Sequence, residues 1–228
     1  MSLPDRSWLA ALQFADSMFP SGAYTQSHGL ESLVADGLLT SRESVARVLE
    51  ICLLHRLATA DLPALLAAHS AGHAELLAID HRLSAAKLSR EERTASVRVG
   101  RRIAVEVQRL VPENEALSAF IEAIDASCTP GNASVAQGVA STTLGIPSHS
   151  AALAACHSFA TSLISAAMRL TRLGHGEAQR VLSEAQPAMV EAVAIASQVP
   201  WSEMRSSAFQ LDIAMARHER AGARMFAS

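Results

Sequence analysis

Histidines and an arginine-rich stretch are the parts of this 228-residue chain that invite a chemical reading. His69 and His73 stand four apart, so on a helix they share a face, and His81 lies two turns further on. That spacing suits two ligands of a metal ion, but two imidazoles alone make a weak site, and solvated side chains are the simpler reading. His218 and Glu219 begin like a zinc-protease motif, yet Gly222 stands where a second histidine is required. His175, Gly176 and Glu177 begin like a zinc deaminase, yet no Pro-Cys-x-x-Cys accompanies them. Ser27 and His28 are chain neighbours, and no strand-to-helix nucleophile elbow surrounds them. No Gly-x-x-x-x-Gly-Lys-Ser/Thr occurs, so there is no loop to cradle a nucleotide's phosphates. The residues thus argue against an enzyme and assign no catalytic group, metal or cofactor. An all-α metal-binding enzyme using His69 and His73 is the alternative of that class.

Lys87, Arg90, Arg93, Arg98, Arg101, Arg102 and Arg109 outnumber Glu91, Glu92 and Glu106 in one region. Several of these arginines lie opposite the apolar stripe of a helix, which reads as a solvated face. No aromatic residue is interleaved to stack on bases, and the formal net charge is −3, so nucleic acid is not expected as a partner. A docking face for an acidic protein is the functional alternative. A helical regulatory or nucleic-acid-binding module built on residues 90–109 is the third class. Cys52, Cys128 and Cys156 are widely spaced in apolar or small-residue settings, which predicts buried, reduced thiols.

The elements that must position these residues are helical. Half of the residues are hydrophobic, 4% are aromatic, and no strand-like alternation persists. A Thr40–Glu43 capping box predicts a helix from about residue 41, with Val45, Leu49, Cys52, Leu53 and Leu57 on one face. Asp61 and Pro63 predict a restart running to about residue 78. Ser89 and Glu92 cap the next helix, in which Gly100 on the apolar stripe admits a close neighbour. Helices are expected over residues 113–126 and 132–145, then to about Leu173, with two shorter ones flanking Pro187 and a last segment after Pro200. Residues 151–168 hold no charged side chain, but His157, Ser158, Thr161, Ser162 and Ser165 dilute them, so a buried bundle helix is expected instead of a membrane span. No basic region followed by a long apolar run opens the chain, so no signal peptide is expected. The expected architecture is one all-α domain over residues 1–228, a bundle of roughly ten helices with flexible ends.

Residues 17–31 carry the most specific pattern. Pro20, Gly22, Ala23, Tyr24, Ser27, Gly29, Leu30 and Glu31 resemble the N-terminal signature of the UreF family of urease accessory proteins. Gly138, Ala140, Leu144 and Gly145, then Leu173, Gly174 and Gln179, resemble two middle segments of that family. Asp212, Ile213, Met215, His218 and Glu219 fit its Asp-Ile-x-x-Met-x-His-Glu segment with one residue fewer, and Arg224, Met225, Phe226 and Ser228 resemble its ending. His175 and Ala178 replace the family's usual glutamine and glycine, and Ala221 and Ala223 replace a tyrosine and a serine often found near the end.

The resemblance implies a cytoplasmic, homodimeric helical scaffold that is not an enzyme. It implies binding to UreD (also called UreH), recruitment of the GTPase UreG, and promotion of nickel insertion into apo-urease, without membrane or nucleic acid. It places the partner contacts at Tyr24, Ser27, His28, Glu31, His218, Glu219, Arg224 and Phe226. The segments around Tyr24 and Arg224 are expected to be poorly ordered alone and to order against UreD.

Overall fold

The computed structural model describes residues 3–22 and 26–218, and within them the chain is helical with no strand. Twelve α-helices follow in order: α1 Leu3–Ala15, α2 Leu30–Ala35, α3 Arg42–Cys52, α4 Leu62–Ala68, α5 His73–Ala86, α6 Arg90–Leu110, α7 Glu115–Asp125, α8 Ala133–Thr143, α9 Ser148–Leu170, α10 His175–Glu184, α11 Gln186–Ala196 and α12 Phe209–His218. The all-α expectation therefore holds.

α3 and α4 are not separated by a break at Asp61 and Pro63. A π-helix, Leu53–Asp61, joins them into one continuous rod of 27 residues, Arg42–Ala68. Pro63 is tolerated inside the rod because the Thr59 carbonyl, which has no N–H to accept from at position 63, accepts from the Arg205 amide at 3.0 Å. The true break comes at residues 69–72, so His69 ends α4 while His73 begins α5. The start of the rod is also one residue later than expected: Ser41, not Thr40, is the N-cap, and Ser44 returns the capping bond.

Two apolar clusters share the work of burial. One collects α3, the π-helix, α9 and α11 around Leu49, Leu53, Ala160 and Leu163. The other collects α5, α6, α7 and α8 around Ile79, Leu83, Ile103 and Phe120. The rod and α9 are both long and apolar enough to cross a membrane. Here each lies along the core, with Leu57, Leu62 and Leu65 buried on the rod and Ala152, Cys156 and Ala160 on α9. Alanine and glycine at these positions shorten interhelical distances. Gly138 on α8 faces the carbonyl of Leu65, where an added Cβ would lie 2.6 Å away.

One buried carboxylate organises the second cluster. Asp80 on α5 is fully buried and accepts from the Gly131 amide at 2.5 Å, the Asn132 amide at 2.8 Å and the Thr129 hydroxyl at 2.7 Å. It thereby satisfies the donors ahead of α8 from a distance, which is the task an N-cap performs locally. Cys52 and Cys156 are buried as expected, and burial pushes both thiols up to about 12. Cys128 departs from expectation: it is exposed, because it follows the end of α7 in the turn at Ser127, whose φ is 59°.

Candidate functional site

The residues after the N-terminal signature form a tight, left-handed turn. His28 has φ 53° and Gly29 φ 83°, and α2 starts directly after them. Glycine is needed at position 29 for a second reason. An added Cβ would approach Met215 Cγ on α12 to 3.1 Å. The Ser32 hydroxyl donates to the Ala214 carbonyl at 2.9 Å, and Arg217 forks onto Asp36 at 2.6 and 3.1 Å. The two ends of the sequence, more than 180 positions apart, thus pack against each other through α2 and α12.

α12 itself has two faces. Ala208, Leu211, Ala214 and Met215 are buried, whereas Phe209 and Ile213 are 66% and 59% exposed. Asp212, a signature residue, is buried and accepts from the Ser206 hydroxyl at 2.8 Å, which ties the strand-free linker before α12 to its first turn. Burial raises the Asp212 carboxyl above its usual value.

The residues expected to meet partners are distributed unevenly. Ser27 and His28 are buried, and Glu31 is half-buried at the start of α2. His218 is the last residue of α12. The side chain of His218, and Tyr24, Glu219, Arg224 and Phe226 entirely, lie outside the described residues.

Beneath this turn lies a group of charges that no spacing in the sequence brings together. Arg56, on the π-helix, is 6% exposed and donates from Nε and Nη2 to Glu92 Oε1 at 3.2 and 2.7 Å. Lys87 is 5% exposed and donates to the same oxygen at 2.9 Å and to Asp61 Oδ1 at 2.8 Å. Ser134 on α8 donates to Asp61 Oδ1 at 2.8 Å. Two cations and two anions therefore interlock where α6, α8 and the π-helix meet. π-Helical turns widen the backbone and often mark functional positions. Here the π-helix carries both Arg56 and Asp61.

His28 sits over this cluster, its ring 4.7 Å from that of Phe159. Burial, aided by the Arg56 charge, holds its imidazole down to about 3. Burial alone would raise the Glu92 carboxyl, but the Arg56 and Lys87 charges overcome it and hold it at about 2. Both cations, although buried, are raised above their usual values by Asp61 and Glu92.

The histidine linkage gives a pH prediction. A buried neutral His28 lowers the proton uptake of the folded state, so its stabilising effect is complete above 6.5 and is lost as pH falls from 6.5 toward about 3. One proton over that window changes stability by up to about 1.4 kcal/mol per pH unit. Asparagine tolerates the left-handed backbone, so His28→Asn removes the titration while keeping the turn. Thermal melts at pH 7 and pH 5, about two units apart and on either side of the unfolded imidazole's 6.5, are expected to differ less for His28→Asn than for the native chain.

The alternative sites are arranged otherwise. His69 and His73 do not share a helical turn, and His69 Nε2 is engaged by the Ile146 carbonyl at 2.8 Å. His81 Nε2 contacts the Cys128 carbonyl at 2.9 Å. Among the described residues, no three His, Cys, Asp or Glu side chains converge as metal ligands. Lys87, just after α5, and Glu92, on α6, do not belong to a solvated face, because both enter the ion cluster. Arg93 donates to the Lys87 and Leu88 carbonyls, Arg101 pairs with Asp125, and Arg102 and Arg109 pair with Glu106.

Fold and site together define a protein that is all-helical among the described residues, with α2 and α12 packed together above a buried ion cluster. Residues 39–186 match the sequence profile of the UreF family. Over 222 residues the chain is 32% identical to urease accessory protein UreF 1 of Brucella melitensis, covering 96% of this chain and 91% of that protein. It is 34% identical over 220 residues to urease accessory protein UreF of Paenarthrobacter aurescens, and 28% identical over 224 residues to that of Bacillus sp. strain TB-90, covering 96% of this chain in each case and 97% and 98% of those proteins. The chain belongs to the UreF family.

Proposed function

We propose that this chain acts in urease maturation as a scaffold: it binds UreD, recruits the GTPase UreG through that complex, and promotes nickel insertion into apo-urease. Nickel is then cargo of the assembly, and the chemistry belongs to the partners. The observation that carries the reading is the apposition of the N-terminal signature with α12, which makes one surface from the two segments most like the family's partner-binding ends. Exposed Phe209 and Ile213 on that helix supply apolar area of the kind an interface core uses. Ser27 and His28, being buried, serve in this reading as supports that fix the turn beneath the docking surface, while Tyr24, Glu31, His218, Glu219, Arg224 and Phe226 make the contacts. A homodimer in the cytoplasm, built as a single domain, completes the proposal. The exposed apolar residues of α1, Trp8, Leu9 and Leu12, offer a face for such self-association.

The experiment is a pull-down of UreD by Tyr24→Ala and Arg224→Ala, with a thermal melt of each variant. Tyrosine and arginine anchor binding hot spots, so each truncation is expected to weaken UreD binding by about 1–3 kcal/mol while leaving the melt unchanged. Normal UreD binding by both variants removes the docking assignment. A large fall in melting temperature makes the residue structural instead.

A further inference from the structure

A cleft lies beside the ion cluster, with Pro20 and His28 of the N-terminal signature on its wall. Its volume is about 320 Å³, near the lower bound of roughly 300–1,000 Å³ for cavities that hold small molecules. Its walls are apolar where Phe14, Phe19, Leu65 and Phe159 line it, and Phe14 and Phe19 pack edge to face at 5.0 Å. Its charged lining is Arg56, Lys87, Asp61 and Glu92, with exposed Asp16 at the rim.

Among these, Arg56 has an unfilled requirement. Nε and Nη2 are spent on Glu92, but the buried Nη1 has no hydrogen-bond partner among the described residues. A guanidinium is a donor only and does not deprotonate, so what completes Nη1 must be an acceptor. A carboxylate is the strongest match for a charged N–H. Lys87 is held by Asp61 and Glu92, so the cluster balances two cations against two anions. His28 beside it is uncharged at neutral pH. An entering carboxylate gives Nη1 an acceptor, whereas an entering cation offers it none.

We propose that this cleft binds a monocarboxylate with a short apolar body, its oxygens accepting from Arg56 and its chain lying against Phe14, Phe19 and Phe159. The site does not depend on the docking role proposed above. The carboxylate comes either from a free small acid or from a glutamate side chain of a bound protein.

The test is calorimetric titration of the full chain with hexanoate, with its neutral analogue hexanamide, and with N-acetylglutamate methylamide. Hexanoate is expected to saturate one site per chain and to bind about tenfold or more tighter than hexanamide, since a charge-assisted bond is lost in the amide. Arg56→Lys keeps the charge but not the fork, and weakens hexanoate binding. Because Arg56 sits in a buried cluster, Gln137→Glu provides a second variant. It places a negative charge on the cleft wall from a half-buried position outside the cluster, and abolishes binding without a shift in the melt. Equal binding of hexanamide, no saturation up to about 50 mM (weaker than any affinity a built site would show), or full binding by Gln137→Glu overturns the proposal. A glutamate derivative that binds tighter than hexanoate assigns the carboxylate to a protein partner; the reverse order assigns it to a free acid. Either order upholds the site.

Discussion

Glu92→Gln is expected to destabilise the chain by about 4 kcal/mol, because removing one member of a buried ion group leaves its partners uncompensated. The single oxygen Glu92 Oε1 accepts from Arg56 Nε, Arg56 Nη2 and Lys87 Nζ. Glutamine keeps the shape but supplies no charge, and its amide nitrogen is a donor facing donors. Both cations then remain buried with Asp61 alone. For a chain of this size each kcal/mol moves the melting temperature by about 2–4 °C, so a fall of roughly 8–16 °C is expected. A surface pair sets the contrast. Arg42 and Glu184 meet at 2.8 Å with both side chains partly in solvent. Glu184→Gln is expected to stay within about 1 kcal/mol of the native chain. The pH sign follows from the depressed Glu92 carboxyl. Its contribution is complete above 4.5 and is lost as pH falls through about 2, so the gap between the native chain and Glu92→Gln narrows in acid. A gap that stays constant from neutral pH into that range makes the Glu92 charge irrelevant to stability.

Gly100→Ala is expected to cost about 3 kcal/mol, against the roughly 1 kcal/mol gain that alanine brings to a free helix interior. A Cβ at this position on α6 would overlap the Gly131 carbonyl oxygen and lie 2.6 Å from Asn132 C and 2.8 Å from Ala133 N. All three atoms are backbone, so no rotamer change relieves the overlap. The opposing turn is itself held by Asp80 through the Gly131 and Asn132 amides, so it cannot retreat without giving up buried hydrogen bonds. Gly176, in the first turn of α10, has nothing within 4 Å of an added Cβ. Gly176→Ala is expected to be neutral or stabilising by up to about 1 kcal/mol. Urea denaturation of the two variants checks both statements. Equal stability of Gly100→Ala and the native chain refutes the close-approach argument.

Some of this was legible in the residues themselves. The recurrence of Val45, Leu49 and Cys52, and of Gly100, Ile103, Ala104 and Val107, specifies helix faces by period alone, and both faces are buried. The N-terminal signature and the Asp212–His218 segment marked the family, since residue identities in order need no coordinates. Gly100 on an apolar stripe announced a close neighbour, although not that the neighbour is the turn before α8.

Other features were decided by tertiary structure. The π-helix joining α3 to α4 has the same local sequence signals as a broken helix, because Pro63 reads alike in a restart and in a first turn. His69 and His73 have metal spacing only if one helix spans both, and the folded chain breaks between them. Lys87 and Glu92 look like ordinary members of a charged helix start. Their burial follows from where α6 lands on the π-helix, which brings Arg56 and Asp61 to them from 26 to 36 positions away. Charge pairing across such distances has no period and no motif. The sequence by itself therefore determined the helices, their apolar faces and the family, which rest on local spacing and residue identity. The ion cluster, the cleft beside it and the meeting of α2 with α12 were decided by long-range packing, because only the folded chain fixes which desolvated charges and which ends become neighbours.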